Sequence, residues 1–120
     1  MADTIWRLPN PSQEFNESPR ILISGGSVIL RWEYEQDNGS YAWSSADFVG
    51  VEDVQFTSHS SCSAEQVEAY DRLVKVDPSD RLATLRGSSS RVLQHFRIYF
   101  DEVGCLDVIA EEFHPPKADP

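Results

Sequence analysis

Basic side chains are scarce in this 120-residue chain. Lys and Arg total 10 against 20 Asp and Glu, for a formal charge of -10 at pH 7, and Lys75 and Lys117 are the only lysines. A chain without a basic stripe is a poor match for a phosphate backbone and is repelled by anionic membranes, so neither nucleic acid nor membrane is expected as a partner. Cysteine is scarce too, with Cys62 and Cys105 alone. A secreted domain of this size stapled by disulfides carries more, so both are expected to act as small buried hydrophobes. No apolar run approaches the length of a membrane span. The opening Met1-Ala2-Asp3-Thr4-Ile5-Trp6-Arg7 lacks the basic and apolar regions of a secretory leader. A soluble, cytoplasmic protein is the expectation.

Motifs that carry chemistry are also missing. His59-Ser60-Ser61-Cys62 has a metal-ligand spacing, but structural zinc wants two close ligand pairs and only this one exists. Cys62 precedes an expected helix start, where a thiol pKa can fall, with His59 or His95 as the nearest base types. The local signatures of cysteine proteases are nevertheless absent. Glu111 and Glu112 are strand neighbours and point to opposite faces. Glu33 and Glu35 share a face, but nothing in the pattern makes a cleft between them. Gly25-Gly26 joins two strands, not a strand to a helix, so it is no phosphate loop. No catalytic residue, metal or cofactor is expected.

What the chain does contain is alternation. Residues 1–20 are rich in Pro, Asn, Ser and Glu and read as a partly ordered N-terminal arm, in which Trp6 could dock on the body. Residues 21–113 read as a single α+β domain, and 114–120 as a flexible tail. Strands from Ile21 to Ser24 and from Ser27 to Glu35 flank Gly25-Gly26, a hairpin signal because Gly supplies positive φ without steric cost. A two-residue loop at Asn38-Gly39 would pair Tyr34 with Trp43 and Gln36 with Tyr41. A further strand is expected from about Glu52 to Thr57. Ser63-Ala64-Glu65-Gln66 has the form of a capping box, and Val67, Tyr70 and Val74 recur at helical spacing, predicting a helix over 64–74. Asp77-Pro78 reads as the cap and first residue of a second helix, with Leu82 and Leu85 on its apolar edge and Gly87 closing it. Two final strands complete the pattern: four strands, two helices, two strands. The expected fold is an antiparallel sheet of about six strands with two helices packed on one face.

The last strand pair separates that sheet into two chemistries. With Glu102-Val103-Gly104 as a three-residue loop, Phe100 faces Leu106, Ile98 faces Val108 and Phe96 faces Ala110, a core face. On the other face Tyr99 meets Asp107, Arg97 meets Ile109 and His95 meets Glu111. The helices are expected over the core face, leaving the second face to water. Glu33, Glu35, His95, Arg97, Tyr99, Asp107 and Glu111 would then line one open, acidic and aromatic surface suited to a protein partner.

In profile, though in no motif, the chain resembles bacterial immunity proteins and antitoxins, small acidic proteins that neutralise a toxin by direct binding. That resemblance implies a basic protein partner, possibly a toxin domain, and a monomer or dimer when free. An enzyme or small-ligand binder with a pocket between sheet and helices is the alternative. A structural subunit of an oligomer is a third reading.

Overall fold

The computed structural model describes residues 2–86 and 91–117. Seven strands form one sheet: β1 (Ala2–Arg7), β2 (Arg20–Ser24), β3 (Ser27–Glu35), β4 (Tyr41–Ser58), β5 (Arg72–Val76), β6 (Gln94–Phe100) and β7 (Gly104–His114). Two short helices, α1 (Ala64–Val67) and α2 (Asp80–Arg86), interrupt the strands. The spatial order is β1-β5-β6-β7-β4-β3-β2 and every neighbouring pair is antiparallel. Among the described residues no helix is long and apolar enough to cross a membrane.

The sheet buries its apolar face by curling over it. Val28, Leu30 and Trp32 of β3, Phe48 of β4, Phe96 and Ile98 of β6, and Leu106 and Val108 of β7 form one cluster. Trp6, from the edge strand β1, packs on Trp32 with ring centroids 6.0 Å apart and on Phe113 at 5.3 Å. The two ends of the sheet thus meet across its concave side. An extra residue in β4 between Val51 and Asp53 provides a bend, next to Gly50 at φ +66°; such bulges kink a strand and increase its twist. Residues 8–16 close the open end. Asn10 Oδ1 accepts from Trp32 Nε1 at 3.2 Å, and Phe15 stacks on Trp32. Asp71 knots this segment to the body. Its carbonyl accepts from Leu8 N–H, its carboxylate from Ser12, and its own N–H donates to the Tyr99 carbonyl.

Several expectations need correction. The helices lie on the other face of the sheet, the one assigned to water. Leu82 of α2 packs with Leu93 and Ile109, while Ala69, just after α1, packs with Val74, Tyr99 and Cys105. Helices of four and seven residues cannot roof so wide an apolar surface, so the sheet does that itself. The helix expected over 64–74 stops at Val67. Its capping box is present, with Ser63 Oγ accepting from Gln66 N–H and Gln66 Oε1 from Ser63 N–H. Asp71 then takes φ +53°, and Arg72–Val76, with β-branched Val74 and Val76, becomes β5. The second helix is capped by Ser79, whose Oγ accepts from Leu82 N–H at 3.0 Å, and not by Asp77, which precedes a cis Pro78. Its expected closure at Gly87 lies outside the described residues. The strand expected from Glu52 belongs to the longer β4, and β1 and β5 bring the sheet to seven.

Both expected loops shift register. The β6–β7 loop is Asp101-Glu102-Val103, so Ile98 faces Leu106 and Arg97 faces Asp107. The shift of two preserves the faces. Gly104 is needed less for the turn than for contact with β4: a Cβ there would lie 2.2 Å from the Thr57 carbonyl oxygen. At Asn38-Gly39 the loop has three residues, closed by Gln36 N–H donating to Ser40 O at 2.7 Å, with Gly39 at φ +85°. Asn38 Oδ1 accepts from the Ser40 backbone N–H at 3.0 Å and stabilises this longer form. The slip is one residue, and it turns Tyr41 and Trp43 to the face of Glu33 and Glu35. Pairing of β4 with β7 ends at Asp47 and His114, where Pro115-Pro116 supply no N–H to continue.

Gly104→Ala should cost about 3 kcal/mol or more, because overpacking adds to backbone strain. Gly25→Ala, whose Cβ would meet nothing within 4 Å, should cost only about 1–2 kcal/mol for its left-handed φ. Urea unfolding of the two variants side by side distinguishes them; equal losses would contradict a tight β4–β7 contact at Gly104.

Candidate functional site

The convex face of the sheet is divided. Over β5, β6 and β7 it is covered by α1, α2 and the segments beside them; over β2, β3 and the first half of β4 it is open. The seven residues expected on one surface are therefore separated. His95, Arg97, Tyr99 and Asp107 lie under the cover, with His95 and Asp107 only 4% and 5% exposed. Glu33 and Glu35 lie on the open half. Glu111 stands apart and pairs with Arg91, which also binds Glu52. Tyr99, assigned as an exposed anchor, is 8% exposed and sits in the cluster of Ala69, Val74 and Cys105.

The covered half holds a connected polar network centred on Asp107. Its Oδ1 accepts from Arg97 Nε at 2.7 Å and lies 2.6 Å from His95 Nε2. Its Oδ2 accepts from Gln66 Nε2 at 3.3 Å and from the Cys105 thiol at 3.5 Å. The far nitrogen of the imidazole, His95 Nδ1, is 2.6 Å from Ser79 Oγ. Each member reaches the centre for a local reason. Arg97 and Asp107 are direct cross-strand partners, and His95 is diagonal to Asp107 on the same face. Gln66 is the reciprocal residue of the α1 capping box, and Ser79 is the cap of α2. The network therefore fastens both helices to the sheet. Among the described residues no buried side-chain N or O atom is left without a hydrogen bond, as a low-dielectric site requires.

Electrostatics follow from this wiring. Burial pushes the Asp107 carboxyl upward, but hydrogen bonds from His95 and Arg97, and their charges, outweigh it and hold the carboxyl below its ordinary value. The Cys105 thiol moves the other way: burial first, then the charge of Asp107, raise it far above the usual thiol range, so it stays protonated and a poor nucleophile. Cys62, weighed as a nucleophile, donates to the backbone carbonyls of Thr57 and Ser58 at 3.4 Å and packs against the Cys105 cluster. Among the described residues no three His, Cys, Asp or Glu side chains are grouped to hold a metal ion.

A cleft of about 290 Å³ opens beside the network, between the helices and the sheet. Gln66, Ser79, Arg81, His95, Arg97 and Asp107 line it. Arg81 reaches back to Asp53 and Gln55 on β4. Gln66 is expected from the sequence only as a member of the capping box, and Ser79 and Arg81 carry no signal in the chain that marks them. One signal pointed to the cover itself: Cys105 and Ile109 alternate with Asp107 on β7, and a strand apolar on both faces is a strand covered on both.

No known protein family, curated protein or solved structure matches this chain. The functional reading rests on the residues alone.

Asp107→Asn should cost about 3–5 kcal/mol at pH 7, because it leaves a buried cation with a weakened partner. The folded-state pKa of Asp107 is depressed, so its contribution is complete above the ordinary carboxylate value of 3.8 and is lost as pH falls through the folded value. Urea unfolding from pH 7 down to pH 2 should show the wild type losing its advantage over Asp107→Asn only below about pH 4. A gap independent of pH would show that the charge of Asp107 plays no part.

Proposed function

We propose that this protein acts by binding a basic protein partner through the open half of its convex face, as an inhibitor of the immunity or antitoxin type. The observation that carries the reading is the composition of that half. Trp43 and Tyr41 lie there at 37% and 52% exposure, beside Glu33 and Glu35, with Leu22 on the neighbouring edge strand at 43%. Exposed tryptophan and tyrosine are the residue types that anchor interfaces. Trp43 is held ready by two guanidinium groups, Arg20 at 4.8 Å and Arg31 at 5.1 Å from its ring centroid. A preset aromatic loses little side-chain freedom on binding. Two clefts beside the Ser12–Glu14 turn are also acidic: Glu14 and Glu35 line one, Glu17, Asp101 and Glu102 the other, and neither is lined by Lys or Arg. With a net charge of -10, encounter with a basic surface is accelerated over long range.

Co-purification with the product of the neighbouring gene supplies the partner, and stopped-flow association supplies the test. Association should slow steeply as salt rises, since screening acts on steering first. Charge reversal at Glu33 and Glu35 should lower the on-rate. Trp43→Ala should raise the off-rate by about 30-fold, the scale of a 2 kcal/mol anchor. Binding that is indifferent to salt, or a partner footprint confined to α1 and α2, would refute the proposal.

A further inference from the structure

The polar network under the helices is wired in a direction that can move a proton. Asp107 is ionised and can only accept, so the hydrogen between it and the imidazole belongs to His95 Nε2, 2.6 Å from Oδ1. In its neutral form, with Nε2 protonated, the imidazole has a bare Nδ1. In that form the Ser79 hydroxyl, 2.6 Å away, donates to Nδ1. Ser79 Oγ also accepts from Leu82 N–H at 3.0 Å. One lone pair remains, on an oxygen that lines the cleft of about 290 Å³. The order serine, imidazole, carboxylate is that of an activated nucleophile, its base and the group that orients the base, a constellation recognised by roles and not by position in a chain. Here the two ring nitrogens exchange the roles they have in the serine proteases.

We propose that Ser79, His95 and Asp107 form the catalytic chain of a hydrolase acting on small carboxylic esters in this cleft. Ser79 Oγ attacks the ester carbonyl carbon while His95 Nδ1 takes the hydroxyl proton. The imidazolium then carries both N–H groups, one of them donated to Asp107. The bond from the carbonyl carbon to the alcohol oxygen breaks, and the alcohol leaves with the proton from Nδ1. Water, deprotonated by the same nitrogen, attacks the acyl-serine, releases the carboxylic acid and restores Ser79. Arg97 has a place in this scheme. Its Nε is occupied by Asp107, but among the described residues its Nη atoms donate to no protein acceptor, and the side chain lines the cleft. It is the group available to meet the negative charge on the carbonyl oxygen as the tetrahedral intermediate forms. A cleft of about 290 Å³ accommodates a short acyl group.

This inference uses the covered half of the convex face and stands apart from partner binding on the open half; neither outcome decides the other. The test treats the whole folded protein with an alkyl fluorophosphonate, maps the adduct by mass spectrometry, and measures hydrolysis of p-nitrophenyl acetate and butyrate. A single phosphonyl adduct on Ser79, with release of fluoride, and turnover of at least one ester are expected. Ser79→Asn, which keeps a capping side chain at the start of α2, should abolish both, with folding verified by its urea transition. His95→Gln should slow adduct formation by about 10²–10⁴-fold. No adduct on Ser79, an adduct without ester turnover, or ester turnover undiminished in Ser79→Asn would each overturn the proposal.

Discussion

Two tryptophans from opposite ends of the sheet meet inside it, and the rest of the architecture depends on that contact. Trp6 is on the edge strand β1 and Trp32 is three places in the sheet from β6. Bringing them together bends seven strands into a trough whose lining excludes water without any helical roof. The driving term is ordinary burial of large apolar surfaces. The cost is a bent β4, accommodated by one extra residue and by Gly50. Asn10 and Phe15 then finish the enclosure by meeting the indole of Trp32 from below.

Because the trough is self-sufficient, the helices are released to the outer surface. There they meet strand residues that were never purely polar. Tyr99, Cys105 and Ile109 give α1 and α2 something apolar to pack on, and Asp107 lies between them. A buried carboxylate is tolerable only if fully bonded. His95 and Arg97 of β6 and Gln66 of α1 meet that demand, and Ser79 completes the line on the far side of the imidazole. The same hydrogen bonds that make the burial tolerable are the ones on which the proposed chemistry of the cleft rests.

Local and period-two signals were legible in the chain. The hairpin at Gly25-Gly26 pairs Ser24 with Ser27 as its glycines demand. The capping box at Ser63 and the apolar edge of Leu82 and Leu85 are present. Face membership on β6 and β7 survived an error of two in register, since an even shift leaves alternation intact. An odd shift does not, and the bond from Ser40 to Asn38 moved Tyr41 and Trp43 across the sheet. What could not be read was competition between levels. Val67, Tyr70 and Val74 satisfy a helical period, yet Val74 and Val76 gain more as strand residues between β1 and β6. Contact between Ser79 and His95 depends on where α2 lands, which no local pattern encodes. The open face failed as an inference because the helices were assigned to the wrong side, although the apolar Ile109 already argued for a cover there.

The pairing of β1 with β5 has a bearing on how the chain reaches this state. Ala2 pairs with Val76 and Arg7 with Arg72, so β1 has no neighbour until β5 has been made. Its tryptophan has no lining to enter before β3, β6 and β7 are in place. Contacts this distant along the chain carry a large loop-closure cost and slow the approach to the native state. During synthesis β1 therefore waits as an unpaired strand with an exposed indole, the kind of surface that holdase chaperones shield.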